Sequence, residues 1–130
     1  MFLAHTSIDQ AEQLAAAVAG AARMADGWCT DFQPYFLGLI FRELLGVEID
    51  FKTIRSIRVD EAAVIFPDHL QRKELIELLV LTEVMVNPIP PQLERSLRNW
   101  AEKLQIEDRS LVLARDVANT ARAHIHPTGG

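Results

Sequence analysis

At 130 residues the chain is the size of one domain, and 49% hydrophobic against 24% charged residues suits a packed globule while excluding a disordered, collagenous or fibrous polypeptide. Its 13 Lys and Arg against 18 Asp and Glu leave a net charge of −5, which argues against nucleic acid as a partner, because backbone affinity there comes from clustered cations. The single cysteine, Cys29, excludes an internal disulfide framework and every multi-cysteine zinc site, and points to a reducing compartment.

Met1 to Gln10 lacks the basic-then-apolar pattern of a secretory signal, so a cytoplasmic location is expected. Ser7 and Gln10 have the spacing of a capping box. The Ala-rich stretch behind them, with Leu14, Ala17, Val18 and Ala21 on one stripe, predicts a first helix running to Gly27. Asp31 is placed to cap a second helix, with Pro34 in its first turn and Gly46 at its end. Asp50 is read as the start of a short third helix that turns Phe51, Ile54 and Ile57 inward, and Asp60 to Phe66 as a fourth, stopped by Pro67.

Asp68 opens a long helix reaching about Val86. Its Leu75 to Val86 stretch is too short and too interrupted by Glu77, Thr82 and Glu83 to span a bilayer. Asn87-Pro88-Ile89-Pro90-Pro91 breaks it rigidly, and Pro91 opens a sixth helix through Leu93, Leu97, Trp100 and Leu104. Asp108 caps a seventh, carrying Leu111, Val112, Ala118 and Ile125, with a frayed tail from His126 to Gly130. The expected fold is therefore a single all-α domain over residues 1–130, a compact bundle of about seven helices.

Shifting the sequence by 61 positions lays Leu14 over Leu75, Ala17 over Leu78, Val18 over Leu79, Asp26 over Asn87, Phe32 over Leu93 and Phe36 over Leu97. Two repeated helical hairpins are expected, one about residues 8–47 and the other about 68–106. Within the first, Ala21-Ala22-Arg23-Met24-Ala25-Asp26-Gly27, then Thr30 and a further polar residue at Gln33, resembles the A-x-x-A-D-G-x-(I/V)-(S/T)-x-x-E signature of the tellurite-resistance TerB-like family, found also in the central region of DjlA-type co-chaperones.

That resemblance implies a helical module of cytoplasmic or membrane-peripheral location, working by protein binding beside membrane proteins in stress or metal responses. It also implies acidic residues at the turns that hold a metal ion. The first copy has Asp26 and Gly27 but Gln33 where the family has Glu; the second has Glu94 but Asn87-Pro88 in place of Asp-Gly. Each copy thus carries half of the acidic pair, and a shared site requires the two turns to meet.

Glu83, within an apolar run, needs a partner: either an Arg or backbone N–H of a neighbouring helix, or a cation held with Asp26, Asp31 and Glu94. Such an oxygen set suits a hard divalent metal ion such as Ca²⁺ or Mg²⁺. Asp26 is expected near a helix C-terminus, with Arg23 one turn back as its ion-pair partner.

Trp28, an indole in a turn, is either folded back or offered to a partner. Lys52, Arg55 and Arg58, recurring every three residues, form either a basic helix face for an acidic or membrane partner or a solvated one.

No catalytic residue is assigned. His5, His69, His124 and His126 lack a ligand neighbour at helical spacing, Cys29 lacks a nearby cation, and P-loop, Gly-x-Gly-x-x-Gly, His-Glu-x-x-His and Gly-x-Ser-x-Gly motifs are absent. The function expected is a non-catalytic interaction module. The alternative is a small helical enzyme or accessory subunit holding a ligand between its hairpins.

Overall fold

The computed structural model describes residues 8–86 and 89–125. Six α-helices follow one another: α1 (Ile8–Ala22), α2 (Phe32–Leu45), α3 (Val59–Ile65), α4 (His69–Val84), α5 (Pro91–Lys103) and α6 (Asp108–Ile125). The Ser7 cap, the Asn87-Pro88 part of the break, His5 and the His126 to Gly130 tail lie outside the described residues. Apart from an isolated bridge between Met24 and Gly27, no β-pairing occurs among the described residues, in line with the all-α expectation.

The helix count falls one short of the expected seven, and the missing helix is the one placed at Asp50. Asp50 does nucleate a turn: its carboxylate accepts from the Lys52 N–H and the Thr53 hydroxyl, both at 3.0 Å, and its carbonyl from the Ile54 N–H at 2.9 Å. The chain then runs from Ile54 to Arg58 without regular secondary structure, because other elements take its polar groups. Arg23 donates to the Ile54 carbonyl at 2.7 Å, and the Ile57 N–H donates to the Ala16 carbonyl of α1 at 3.2 Å. Hence Lys52, Arg55 and Arg58 form no basic helical face, although all three are exposed.

α1 and α4 are the central helices. Ala11, Ala15, Ala17, Val18, Ala19, Ala21 and Ala22 of α1 are fully buried, and their small side chains let α3, α4, α5 and the 54–58 segment come close. Gly20 is essential to this approach, since a Cβ there would lie 1.9 Å from the Ile57 carbonyl oxygen. α4 supplies Leu75, Ile76, Leu78, Leu79 and Val80, while α5 adds Leu93, Leu97 and Trp100 on its single apolar stripe, continued by Leu104 just past its end.

Several sequence signals act as expected. The Asp68 carboxylate accepts from the Leu70 N–H at 3.1 Å to cap α4, and Pro91 opens α5. Gly46, at φ 66°, closes α2 with its N–H on the Arg42 carbonyl. Other signals act differently. α1 stops at Ala22 rather than Gly27, and Asp31 makes no side-chain cap to α2. α5 ends in a Schellman motif with Gln105, a non-glycine at φ 60°, in the left-handed position.

Candidate functional site

The segment joining α1 to α2 carries most of the residues singled out by sequence. Met24 and Gly27 exchange two backbone hydrogen bonds of 3.0 Å, and Gly27 takes φ 112°, a conformation that disfavours any side chain. Asp26 sits at the exposed tip of this turn, beyond the end of α1. The expected Arg23–Asp26 pair does not form, because the Arg23 guanidinium turns to the Ile54 and Lys52 carbonyls. Trp28 folds back: its Nε1 donates to the Phe51 carbonyl at 2.9 Å, and its ring meets Phe51 edge-on at 6.4 Å. Phe51 in turn packs edge-on against Phe41 at 5.0 Å, so three aromatics pin the 47–58 segment to α2. Burial, followed by the nearby Asp26 charge, pushes the Cys29 thiol above its ordinary pKa, the opposite of what an activated nucleophile needs.

Where the α1–α2 turn meets the end of α4, a buried polar seam forms. Gln33, fully buried, accepts from the Thr30 N–H at 3.1 Å through Oε1 and donates to the Thr82 carbonyl at 3.1 Å through Nε2. Thr82 donates its hydroxyl to the Leu79 carbonyl at 2.6 Å. Beside it, Glu83 is 1% exposed and takes both oxygens to Arg115 of α6, at 2.7 and 2.9 Å. The start of α2 is thus tied to the last turns of α4 through an amide.

This arrangement separates the four candidate metal ligands. Glu83 is occupied by Arg115, and Glu94 pairs along α5 with Arg98 at 3.0 Å. Asp26 and Asp31 stay exposed on the turn. Among the described residues, no group of three or more His, Cys, Asp or Glu side chains is placed to hold a metal ion. The partner of Glu83 is the first of the two expected kinds, an Arg of a neighbouring helix. Sequence reasoning had not singled out Arg115, although its position three residues before the buried Ala118 places it near the core side of α6.

The unusual surface belongs to α2. Its sequence, Phe32-Gln33-Pro34-Tyr35-Phe36-Leu37-Gly38-Leu39-Ile40-Phe41-Arg42-Glu43-Leu44-Leu45, is apolar nearly all round, yet only Gln33, Pro34, Leu37 and Phe41 are buried. On the face opposite those four, Phe32 and Tyr35 are 48 and 60% exposed, with Phe36 and Leu39 half-buried beside them. Phe32 stacks on Phe36 at 5.5 Å and lies 6.4 Å from Tyr35. The same helix borders an open groove of about 620 Å³, with Gly38 and Leu39 on one wall and Glu48, Ile49 and Lys52 on the other. Comparison with protein-family models, with curated proteins and with solved structures finds no significant match.

Lys52 and Arg58 have other local tasks. The Lys52 carbonyl accepts from Arg23, and Arg58 precedes α3, where it pairs with Asp60 at 3.1 Å and its N–H donates to Glu61 at 3.1 Å. A second groove, of about 390 Å³, runs between α4 and α6 and is lined mainly by Ile76, Leu81, Ile106, Leu113 and Val117. No helix among the described residues is long and apolar enough to cross a membrane.

Proposed function

We propose that this domain is a non-catalytic interaction module, docking a protein partner through the outer face of α2. One observation carries the reading: a helix apolar nearly all round leaves Phe32, Tyr35 and Leu44 exposed and Phe36 and Leu39 only half-buried, with an aromatic cluster on the uncovered face. A helix of that composition belongs under another element, and a contiguous exposed apolar patch marks an interaction site. Aromatic side chains anchor such surfaces because they bring large contact area at small entropic cost. The neighbouring groove, open along its length, suits a bound segment of chain better than an enclosed small molecule.

The TerB-like resemblance and the two-hairpin repeat belong to the same proposal. A shift of 61 carries α1 onto α4, and α2 onto α5 with an offset of two residues at its start, which supports a duplicated helical unit. Under this reading the turn residues Thr30 and Gln33 are structural, and binding falls to α2. A cytoplasmic protein partner, in the stress-response setting the resemblance implies, is the corresponding occupant.

The test is affinity capture from extract of the source cell with the parent chain, a Phe32→Ser/Tyr35→Ser variant and a Glu107→Gln control, each checked for native helix content. Expected is a partner recovered by the parent and the control and lost by the α2 variant. Equal recovery of every protein by all three chains would overturn the proposal.

A further inference from the structure

α6 buries Leu111 and Ala118 and ties Arg115 to Glu83, yet its other side leaves Val112, Leu113 and Val117 exposed by 53, 55 and 70%. Leu113 and Val117 border the apolar groove between α4 and α6, and Val112 lies exposed on the adjoining flank of α6. Surface of this kind is normally covered.

The charges around the patch indicate what covers it. Arg109 and Asp116 stand seven residues apart, and so on one helix face, with Val112 and Leu113 midway between them. Both are exposed, and neither side chain enters an ion pair among the described residues. A helix of the same sequence laid antiparallel on this face brings each Arg109 against the Asp116 of the second copy, and Val112 against Leu113. Laid parallel, it sets Arg109 against Arg109 and Asp116 against Asp116. Charge order thus selects the antiparallel arrangement, whose two-fold axis crosses the helices and makes one patch complementary to itself. On the far rim of the groove, Lys73 and Glu77 of α4 repeat the basic-then-acidic order one helical turn apart. A partner of unrelated sequence needs no such self-matching pattern; a second copy of this chain does.

We propose that α6, with the adjoining rim of α4, is the interface of a two-fold homodimer in which the two α6 helices run antiparallel.

Sedimentation equilibrium from low micromolar to submillimolar concentration tests it on four proteins: the parent, Arg109→Glu, Asp116→Arg, and the α2 variant Phe32→Ser/Tyr35→Ser. The parent is expected to show a monomer–dimer equilibrium. Each single charge reversal places like charges together twice across the two-fold axis and weakens the dimer by about tenfold or more. An equimolar mixture of the two reversals restores both attractive pairs, and with them an affinity near that of the parent. The α2 variant dimerises as the parent does, which keeps this interface separate from the docking face proposed above. A parent that stays monomeric throughout would overturn the proposal, as would charge reversals without effect, a mixture no tighter than its components, or a dimer lost in the α2 variant.

Discussion

Glu83 lies almost wholly out of water, and Arg115 is what makes its charge tolerable there. Arg115→Ala leaves a buried carboxylate without a countercharge and is expected to lower stability by about 3 kcal/mol, the small end for a broken buried pair because the Arg115 side chain is 24% exposed. Urea unfolding of the single variant against a Glu83→Leu/Arg115→Leu double variant checks this, since removing both charges together should be far less costly than removing one. Gln33 is a second such case. Its amide donates to the Thr82 carbonyl, which a carboxylate cannot do, so Gln33→Glu sets a negative oxygen against a carbonyl in a fully buried site. A loss of about 2–4 kcal/mol at neutral pH is expected, shrinking in acid as the new carboxyl takes a proton and can donate, with thermal melts across the pH range as the measurement. A glutamine rather than a glutamate at this position therefore has a physical reason in this chain.

At the scale of elements, the close approach of the irregular segment 54–58 to α1 depends on one missing Cβ. Gly20→Ala gains about 1 kcal/mol of helix propensity yet is expected to destabilise by about 2 kcal/mol net, because the new methyl overlaps the Ile57 carbonyl and backbone must move. Chemical denaturation, with Gly38→Ala as a control whose Cβ would lie 3.7 Å from the nearest oxygen, distinguishes crowding from a general effect of glycine replacement. On α4, burial raises the Glu77 pKa, partly opposed by Lys73 and reinforced by Glu74. The folded protein then holds that proton to higher pH than the unfolded chain, so stability falls as pH rises through the carboxylate range. Glu77→Gln should accordingly melt higher than the parent at neutral pH and show no such advantage in acid below the ordinary carboxyl pKa.

Across the whole molecule, stability is distributed unevenly. α1, α4 and α5 pack on one another, and α6 closes over α4, whereas α2 touches the bundle chiefly through its contact with α1, the Gln33 amide and the Phe41–Phe51 edge. Amide hydrogen exchange is therefore expected to be fastest, among the helices, in the second half of α2 and slowest in α1 and α4. Equal protection of α2 and α4 would show instead that the aromatic trio locks α2 as firmly as the core. A partner seated on α2 should slow its exchange selectively, which links this profile to the docking reading.

The amino-acid sequence by itself determined the helical class and most helix positions, because apolar periodicity, the Asp68 cap, Gly46, Pro67 and Pro91 act through neighbours a few residues away. It also marked Glu83 as an acid in need of a partner, and offered folding back as one fate of Trp28. Tertiary structure alone decided which partner each polar group took. Arg23 turned from the nearby Asp26 to carbonyls about 30 residues on, and Arg115 found Glu83 across 32 residues. The segment after Asp50 shows the same limit: its spacing of three reads as a helix, but the Lys52 and Ile54 carbonyls bond to Arg23 and the Ile57 N–H to α1 in place of a helical ladder. Hydrogen-bond competition of this kind depends on which chains lie side by side, and local pattern does not encode it. The exposed face of α2 belongs to the same class, because an apolar helix reads as core until the bundle leaves it uncovered.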